Sequence, residues 1–317
     1  MFLKMIEKLL TLKSAFIQIN QHAQKQSSVP IRYRIIKSCR RFQTMGKYIC
    51  HVPNRIGSQR YYTNMDEATT FTGFCSYHDK TTFQPIEDRD FCGTDEQVFL
   101  HIYRAFALEY HKKKEVARSE QIFFANKPSV ANMPGWLFEG KTENQIAIKD
   151  YEEDKKLFDQ AILNKEYDVL TYFVWSLDGF SNFAATGGEV PTKDFSGIQI
   201  QDLTNIHKFV NHIYYCVFPE NKTTYAIIAW FKKNDTLFGS LEKKLSKLSE
   251  EEKKNFINNT ITISCENIVI KPSAWDALPQ EIKKNFEFVF RASLDIPQMI
   301  GNMEDRLKKP PIDFFAI

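Results

Sequence analysis

Residues 212–231 place the strongest constraint on the fold, because two β-forming runs flank a short break. The runs HIYYCVF (212–218) and TYAIIAWF (224–231) are rich in β-branched and aromatic residues. The four residues between them, PENK, suit a hairpin turn. A third run, DVLTYFVWS (168–176), is short enough to be a buried strand. These segments predict an antiparallel sheet.

Weaker patterns complete a prediction of an α+β fold, with an N-terminal helical region followed by a mainly antiparallel sheet with flanking helices. Shorter strands are predicted at residues 48–52, 182–185, 195–201 and 260–269, with a turn at Gly187-Gly188. Helices are predicted at 94–114, 142–162 and 279–306. The helix at 94–114 begins with a capping box of Thr94 and Gln97, and Ser249 with Glu252 caps another helix.

The pattern changes from helical to β near residue 165, which predicts three parts. We expect an amphipathic helix and a linker in residues 1–30, a metal-knuckle segment plus a helical region in 31–165, and an α+β domain with an antiparallel sheet in 166–317. Charged residues interrupt the apolar positions of the first helix, so it is not a secretory signal. We expect this helix to pack on the domain, on a partner protein or on a second copy. The sequence contains no run of 18 apolar residues, so we expect no transmembrane segment.

Composition excludes some classes of protein and leaves function open. The chain has 317 residues, of which 43% are hydrophobic, so it can bury a substantial core. A formal charge of +3 is too small to indicate nucleic-acid binding by itself. Six cysteines at irregular spacing do not form a disulfide framework and favour a reducing cytoplasm. Motifs for nucleotide loops, serine hydrolases, zinc proteases and kinases are absent from the sequence.

Chemistry-bearing residues concentrate in ATTFTGFCSYHDKTTFQPIED, residues 68–88. The spacing of Cys75 and His78 puts a thiolate and an imidazole within reach of one Zn²⁺ ion or another divalent metal. We expect a turn-rich segment here, because Pro85 interrupts helices. In the alternative interpretation Cys75 is buried packing and His78 is a hydrogen-bonded core residue.

Other residues of the sequence are candidates for further metal ligands and for contacts with nucleic acid. Cys39 is the best additional thiol for a metal site, and Cys50, Cys92 or water could supply a fourth ligand. Upstream of this segment lies a cluster of basic residues with aromatic residues between them, namely Arg34, Lys37, Arg40 and Arg41. Such a cluster suits the phosphates and bases of DNA or RNA. A solvated surface is the simpler explanation.

The segment GFCSYHDKTTFQPIED, followed by EQVFLHIYRAFALEYHKKKE, resembles a largely uncharacterised bacterial family with a Gly-Phe-Cys-x-x-His-Asp…Phe-x-Pro-Ile-Glu signature. That family looks like a degenerate HNH or treble-clef zinc module. This chain lacks the upstream Cys-x-x-Cys of the family and has Cys39 near its Ser-His position. The resemblance implies a bacterial protein. By analogy with such proteins, we expect a role in defence against phage.

An HNH-type nuclease needs a general base, a metal ligand and a phosphate-binding cation, and His78, Asp79 and Arg104 could fill these roles. The simpler alternative is that Arg104 pairs with Glu87 or Asp88 and holds the segment against the next helix. Three hypotheses follow. The leading one is a nucleic-acid-associated protein, either a binder or a metal-dependent nuclease. The second is a non-catalytic oligomeric sensor or adaptor with a vestigial metal site, and the third is a hydrolase with Cys75 as nucleophile.

Overall fold

The structure is a computed structural model that describes residues 48–52, 59–63, 73–126, 143–295 and 303–317. Its strands are β1 Tyr48–Val52, β2 Gln59–Thr63, β3 Leu170–Asp178, β4 Phe183–Glu189, β5 Ile213–Glu220, β6 Thr223–Phe231 and β7 Asn267–Ile270. Its α-helices are α1 Ser76–Glu87, α2 Asp95–Asn126, α3 Glu143–Asn164, α4 Asp235–Leu245, α5 Glu250–Ser264, α6 Pro272–Ala277 and α7 Gln280–Asp295. Short 3₁₀ helices span Lys232–Asn234, Met303–Leu307 and Phe314–Ala316.

Across the described residues the strands form one seven-stranded sheet in the order β2-β1-β7-β4-β5-β6-β3. Every pairing in it is antiparallel. The predicted α+β class with an antiparallel sheet is therefore confirmed. The hairpin of β5 and β6 is tighter than expected, because Glu220 pairs with Thr223. Asn221 takes a left-handed φ of 55° in the turn, a conformation that asparagine tolerates better than most residues.

Both faces of the sheet are buried, which explains why the central strands read as continuous apolar runs. In β5, Tyr214 and Cys216 enter one hydrophobic core, whereas Tyr215 and Val217 enter the other. Successive side chains of a strand point to opposite faces. The fold thus has three layers, with the sheet between two layers of helices.

The first helical layer comes from α1, α2 and α3, whose side chains Phe83, Phe106 and Phe158 pack with sheet residues in one core. This core includes Leu170 and Phe231, so it continues across the α3–β3 connection. Residue 165 therefore marks a change from helix to strand inside one packed unit. The predicted boundary near residue 165 coincides with this change, and its role as a domain boundary stays a prediction.

The second helical layer covers the opposite face and includes the chain's last residues. Phe238 of α4, Phe256 of α5, Trp275 of α6 and Phe286 of α7 are almost fully buried there. Phe314 in the final 3₁₀ helix packs into the same core and is 0% exposed. No helix among the residues that the structure describes is both long and apolar enough to cross a bilayer.

One strand prediction is wrong, and the prediction for residues 260–269 is right only at its end, where residues 267–269 lie in β7. Residues 195–201 contribute only an isolated bridge between Lys193 and Gln199. Residues 260–264 end helix α5, because the Ser249–Glu252 capping box starts that helix and burial of Ile261 outweighs its β propensity.

The predicted glycine turn is also wrong, since Gly187 and Gly188 lie inside β4. A Cβ atom on Gly187 would lie 2.5 Å from the Ser264 carbonyl oxygen and 2.7 Å from the Cys265 Cα atom. Glycine is needed here because another stretch of backbone approaches closely, and not because the chain reverses.

Candidate functional site

The segment with Cys75 and His78 is the start of a helix and not a turn-rich loop. Cys75 has extended backbone angles and directly precedes α1, and its carbonyl oxygen accepts from the Asp79 N–H at 2.9 Å. Pro85 lies inside the last turn of α1, so the expectation that it prevents a helix is wrong. A proline there removes one hydrogen bond close to the helix end at Glu87, where it interrupts little of the helix.

Cys75 and His78 meet at the exposed end of α1. The Cys75 Sγ atom lies 3.2 Å from the His78 Nδ1 atom, and both residues are exposed. Two ligands at about 2.3 and 2.05 Å from a tetrahedral zinc ion lie about 3.5 Å apart. The pair is thus within a few tenths of an ångström of the spacing that one ion requires. Its exposure rules out the alternative interpretation of both residues as core packing.

Arg104 is committed to holding α1 against α2. Its guanidinium donates to Glu87 Oε1 at 2.8 Å and lies 4.1 Å from the centre of the Phe83 ring. Asp79 Oδ1 is 3.9 Å from the same guanidinium. Arg104 is only 4% exposed, so its charge faces protein and not solvent. The predicted structural role is confirmed, with Glu87 as the partner and not the exposed Asp88.

Gln97 ties together the connection between α1 and α2. Its N–H donates to Thr94 Oγ1 at 3.3 Å, which is one half of the predicted capping box. Its side chain does not complete the box. The Gln97 Oε1 atom accepts from the Cys92 N–H at 2.8 Å, while Nε2 donates to the carbonyl oxygens of Pro85 and Asp90. These hydrogen bonds fix the C-terminal end of α1 to α2.

Among the described side chains, Cys92 does not join Cys75 and His78 in a metal site. Among the described residues, no group of three or more His, Cys, Asp or Glu side chains could hold a metal ion. Cys92 is exposed, and its Sγ atom lies 3.3 Å from Gln97 Oε1. Cys39 and the basic residues Arg34, Lys37, Arg40 and Arg41 lie outside the described residues.

Tyr77 is a candidate contact that the sequence motif did not reveal. It lies between Cys75 and His78 and is 70% exposed, an unusual exposure for a large aromatic side chain. Its ring meets the His78 ring edge to face, with centroids 5.5 Å apart. Phe83 lies on the buried side of α1, and helical periodicity places Tyr77 on the solvent side. The exposure of Tyr77 could be predicted only if this segment were known to be a helix.

A second polar cluster was also missed by sequence reasoning, because its members are far apart in the chain. Asp154 Oδ2 lies 2.8 Å from His212 Nδ1 and accepts from the Tyr214 hydroxyl at 2.7 Å. Tyr151 stacks on the His212 ring, with centroids 4.3 Å apart. Burial, with the nearby carboxylates, raises the pKa of Tyr151 and Tyr214 well above the usual range. These groups are almost fully buried and bonded to one another, which indicates that they join α3 to β5.

A third polar cluster attaches the C-terminal segment to the sheet. Arg306 forms a two-pronged ion pair with Glu189, one arm of which measures 2.8 Å. The Glu189 carboxylate also accepts from the hydroxyls of Tyr215 and Ser264. Arg306 is 5% exposed, so its ion pair with Glu189 holds two parts of the fold together, as the pair of Arg104 and Glu87 does.

Comparison with known proteins adds no family or relative to this geometry. No protein-family model, curated protein or solved structure matches the chain.

Proposed function

We propose that the chain is a nucleic-acid-associated protein that contacts its ligand at the exposed start of α1. The observation that carries this proposal is the 3.2 Å separation of Cys75 Sγ and His78 Nδ1 on the surface. In this proposal the two atoms bind one divalent metal ion such as Zn²⁺. Cys39, water or the nucleic acid itself completes the coordination sphere.

The neighbourhood of the pair suits single-stranded nucleic acid. Tyr77 presents an exposed ring on which a base can stack, and Lys80 is exposed on the same helix. In the proposal Arg34, Lys37, Arg40 and Arg41 supply the phosphate contacts. The sequence resemblance supports a bacterial protein with a role against phage, and the irregular spacing of the cysteines supports a cytoplasmic location.

The proposal is for binding and not for cleavage. Arg104 cannot act as a phosphate-binding cation without leaving Glu87, which would bury an unpaired carboxylate. Asp79 is directed toward the same guanidinium and lies 3.9 Å from it. A nuclease that used Arg104 to bind phosphate would need this guanidinium to be accessible, and it is buried against Glu87.

Metal content is the first test, with Cys75→Ser and the matched control Cys92→Ser. Both cysteines are exposed, but Cys75 lies beside the His78 imidazole whereas Cys92 lies beside the Gln97 amide. Mass spectrometry under non-denaturing conditions should find about one zinc ion per chain in the wild type and in Cys92→Ser. Cys75→Ser should lose it. Metal in none of the three proteins refutes the metal site.

Stacking is tested with Tyr77→Ala and Phe288→Ala, whose side chains are 70% and 73% exposed. Loss of one stacked base costs about 1–3 kcal/mol, which lowers the affinity for single-stranded DNA or RNA by about 5- to 150-fold. The loss should occur for Tyr77→Ala alone and at every salt concentration. Equal affinities of the two variants would exclude the start of α1 as the contact surface.

Salt dependence tests the phosphate contacts separately. Replacing Arg40 and Arg41 by serine should reduce the slope of log affinity against log salt by about 0.7 for each contact to a single strand. Lys243→Ser and Lys247→Ser, exposed residues at the end of α4, should leave the slope unchanged. Affinity that does not depend on salt removes this part of the proposal.

The alternative is a non-catalytic sensor or adaptor in which the metal site is vestigial. The absence of a third ligand among the described residues favours it. Purified protein without metal and without measurable affinity for DNA or RNA would make this the leading proposal.

A further inference from the structure

Among the described strands, β3 forms one edge of the sheet, and one side of its backbone has no strand partner there. Within the described part of the chain it pairs only with β6, and all nine of its residues take part, from Leu170 opposite Phe231 to Asp178 opposite Thr223. The N–H and C=O groups on its other side therefore have no strand partner there. Edges of this kind are templates for another strand.

Three usual protections of an edge strand, namely proline, lysine and a β-bulge, are missing from β3. Its sequence, LTYFVWSLD, contains no proline and no lysine, and its register with β6 runs without a bulge. Thr171, Tyr172, Phe173 and Val174 are half-buried in succession, so both faces of the edge expose apolar surface. The facing residues of β6 are almost fully buried. An added strand would complete the burial of β3 in the same way.

Two helix starts hold β3 in place from opposite faces. The Thr171 hydroxyl donates to Asp235 Oδ1 at 2.6 Å, and the Tyr172 hydroxyl donates to Asp95 Oδ1 at 2.6 Å. Asp235 is the first residue of α4, and Asp95 is the first residue of α2. The edge is therefore fixed before any partner arrives, which lowers the entropy that binding must overcome.

We propose that this edge binds β3 of a second copy of the chain, antiparallel about a twofold axis at Val174. Twofold pairing uses the edge on both copies and so gives a closed dimer, the commonest symmetric assembly. Near the axis, Phe173 and Trp175 meet their counterparts on one face of the joined sheet. Tyr172 and Val174 do so on the other, and both combinations are favourable cross-strand pairs.

The charges at the two ends of β3 fit this arrangement. Antiparallel pairing brings the exposed Asp178 of one copy to the end of β3 where Lys232 of the other copy lies. Lys232 already pairs with Asp168 of its own chain, so its ammonium group would lie between two carboxylates. The twofold axis repeats this contact, giving two such sites per dimer.

The first experiment measures molar mass by light scattering over a range of protein concentration. The wild type should approach twice the chain mass of 37.1 kDa. Val174→Lys should remain a monomer, because two ammonium groups would face each other across the axis. Ile198→Lys replaces another exposed apolar residue, 63% exposed in the β4–β5 connection, and should still dimerise. A wild type that is monomeric throughout overturns the proposal.

The second experiment locates the contact and does not depend on the folding of Val174→Lys. Single cysteines replace Phe173, Val174 or Asp178 in a variant in which Cys39, Cys50, Cys75 and Cys92 are changed to serine and the buried Cys216 and Cys265 are kept. Paired strands bring a central position within disulfide range of its copy, whereas position 178 is separated by about 26 Å from its own copy. Mild oxidation should link Val174→Cys most readily and leave Asp178→Cys unlinked.

Other results would each overturn the proposal. A dimer without disulfides at β3 places the interface elsewhere, and equal linking at all three positions excludes antiparallel pairing. A monomer whose alternate β3 amides are all protected from hydrogen exchange shows that another segment of the same chain covers the edge.

Discussion

Replacing Arg104 should destabilise the whole protein, because it leaves a buried carboxylate without its cation. The Glu87 side chain is 7% exposed and lies 2.8 Å from the guanidinium. Removing one partner of a buried pair costs about 3–5 kcal/mol. The entropy of unfolding is about 2.1 cal/mol/K per residue, or about 0.67 kcal/mol/K for 317 residues. Arg104→Met should therefore lower the melting temperature by about 6 °C.

The assay combines thermal and urea unfolding of Arg104→Met, Glu87→Gln and the double variant. Glu87→Gln keeps a neutral acceptor, so its cost should be smaller, about 1.5–3 kcal/mol. The double variant should cost less than the sum of the single changes, because the two side chains are in direct contact. The exposed Arg89→Met is the matched control and should change the free energy of unfolding by less than about 0.5 kcal/mol.

Two outcomes would refute this reasoning. If Arg104→Met melts within 1 °C of the wild type while the transition stays cooperative, the pair does not hold α1 in place. If the variant keeps full stability and instead loses affinity for nucleic acid, Arg104 is a phosphate contact, and the guanidinium must leave Glu87 in the bound state.

Three further outcomes test the fold. Gly187→Ala should cost more than about 2 kcal/mol because its Cβ atom meets backbone at 2.5 Å, whereas Gly239→Ala, with nothing within 4 Å, should stabilise α4 by about 0.5–1 kcal/mol; equal denaturation midpoints would contradict this. Burial first, and Arg104 second, lower the pKa of His101 to about 3 from 6.5. The unfolded chain then binds the extra proton, so the free energy of unfolding should fall as pH drops from about 6.5 to about 3, less so in His101→Phe; parallel pH profiles would be the contrary result. Arg306→Met should lower the free energy of unfolding in urea by about 3–5 kcal/mol, whereas Lys308→Ala at an exposed position should hardly change it. Similar losses in the two variants would show that the ion pair of Arg306 with Glu189 does not stabilise the fold.

Local patterns in the sequence located much of the secondary structure. Residues 48–52 were predicted as a strand and form β1 with the same bounds, and the β5–β6 hairpin was read from its break. The Ser249–Glu252 capping box forms as predicted, with both of its hydrogen bonds. These features depend on a few neighbouring residues, which is why the sequence displays them.

Features that depend on distant contacts could not be predicted in this way. Pro85 is tolerated in a helix because of where that helix ends, and Gly187 is required because Ser264 approaches from another element. His212 looked unremarkable until the fold placed Asp154 beside it, 58 residues away in sequence. Arg104 with Glu87 could be anticipated, since the two residues flank one short connection between helices.

The place of β1 in the sheet has a consequence for synthesis of the protein. β1 pairs with β7, so its register with residues 268–270 cannot form until the ribosome has added more than 200 residues after Val52. At about 5–20 residues per second this takes roughly 10–40 s. During that time the β1–β2 hairpin has no third strand, and a two-stranded hairpin alone is marginally stable. A nascent chain of this sequence therefore presents an open strand to chaperones until residues 268–270 have left the ribosome.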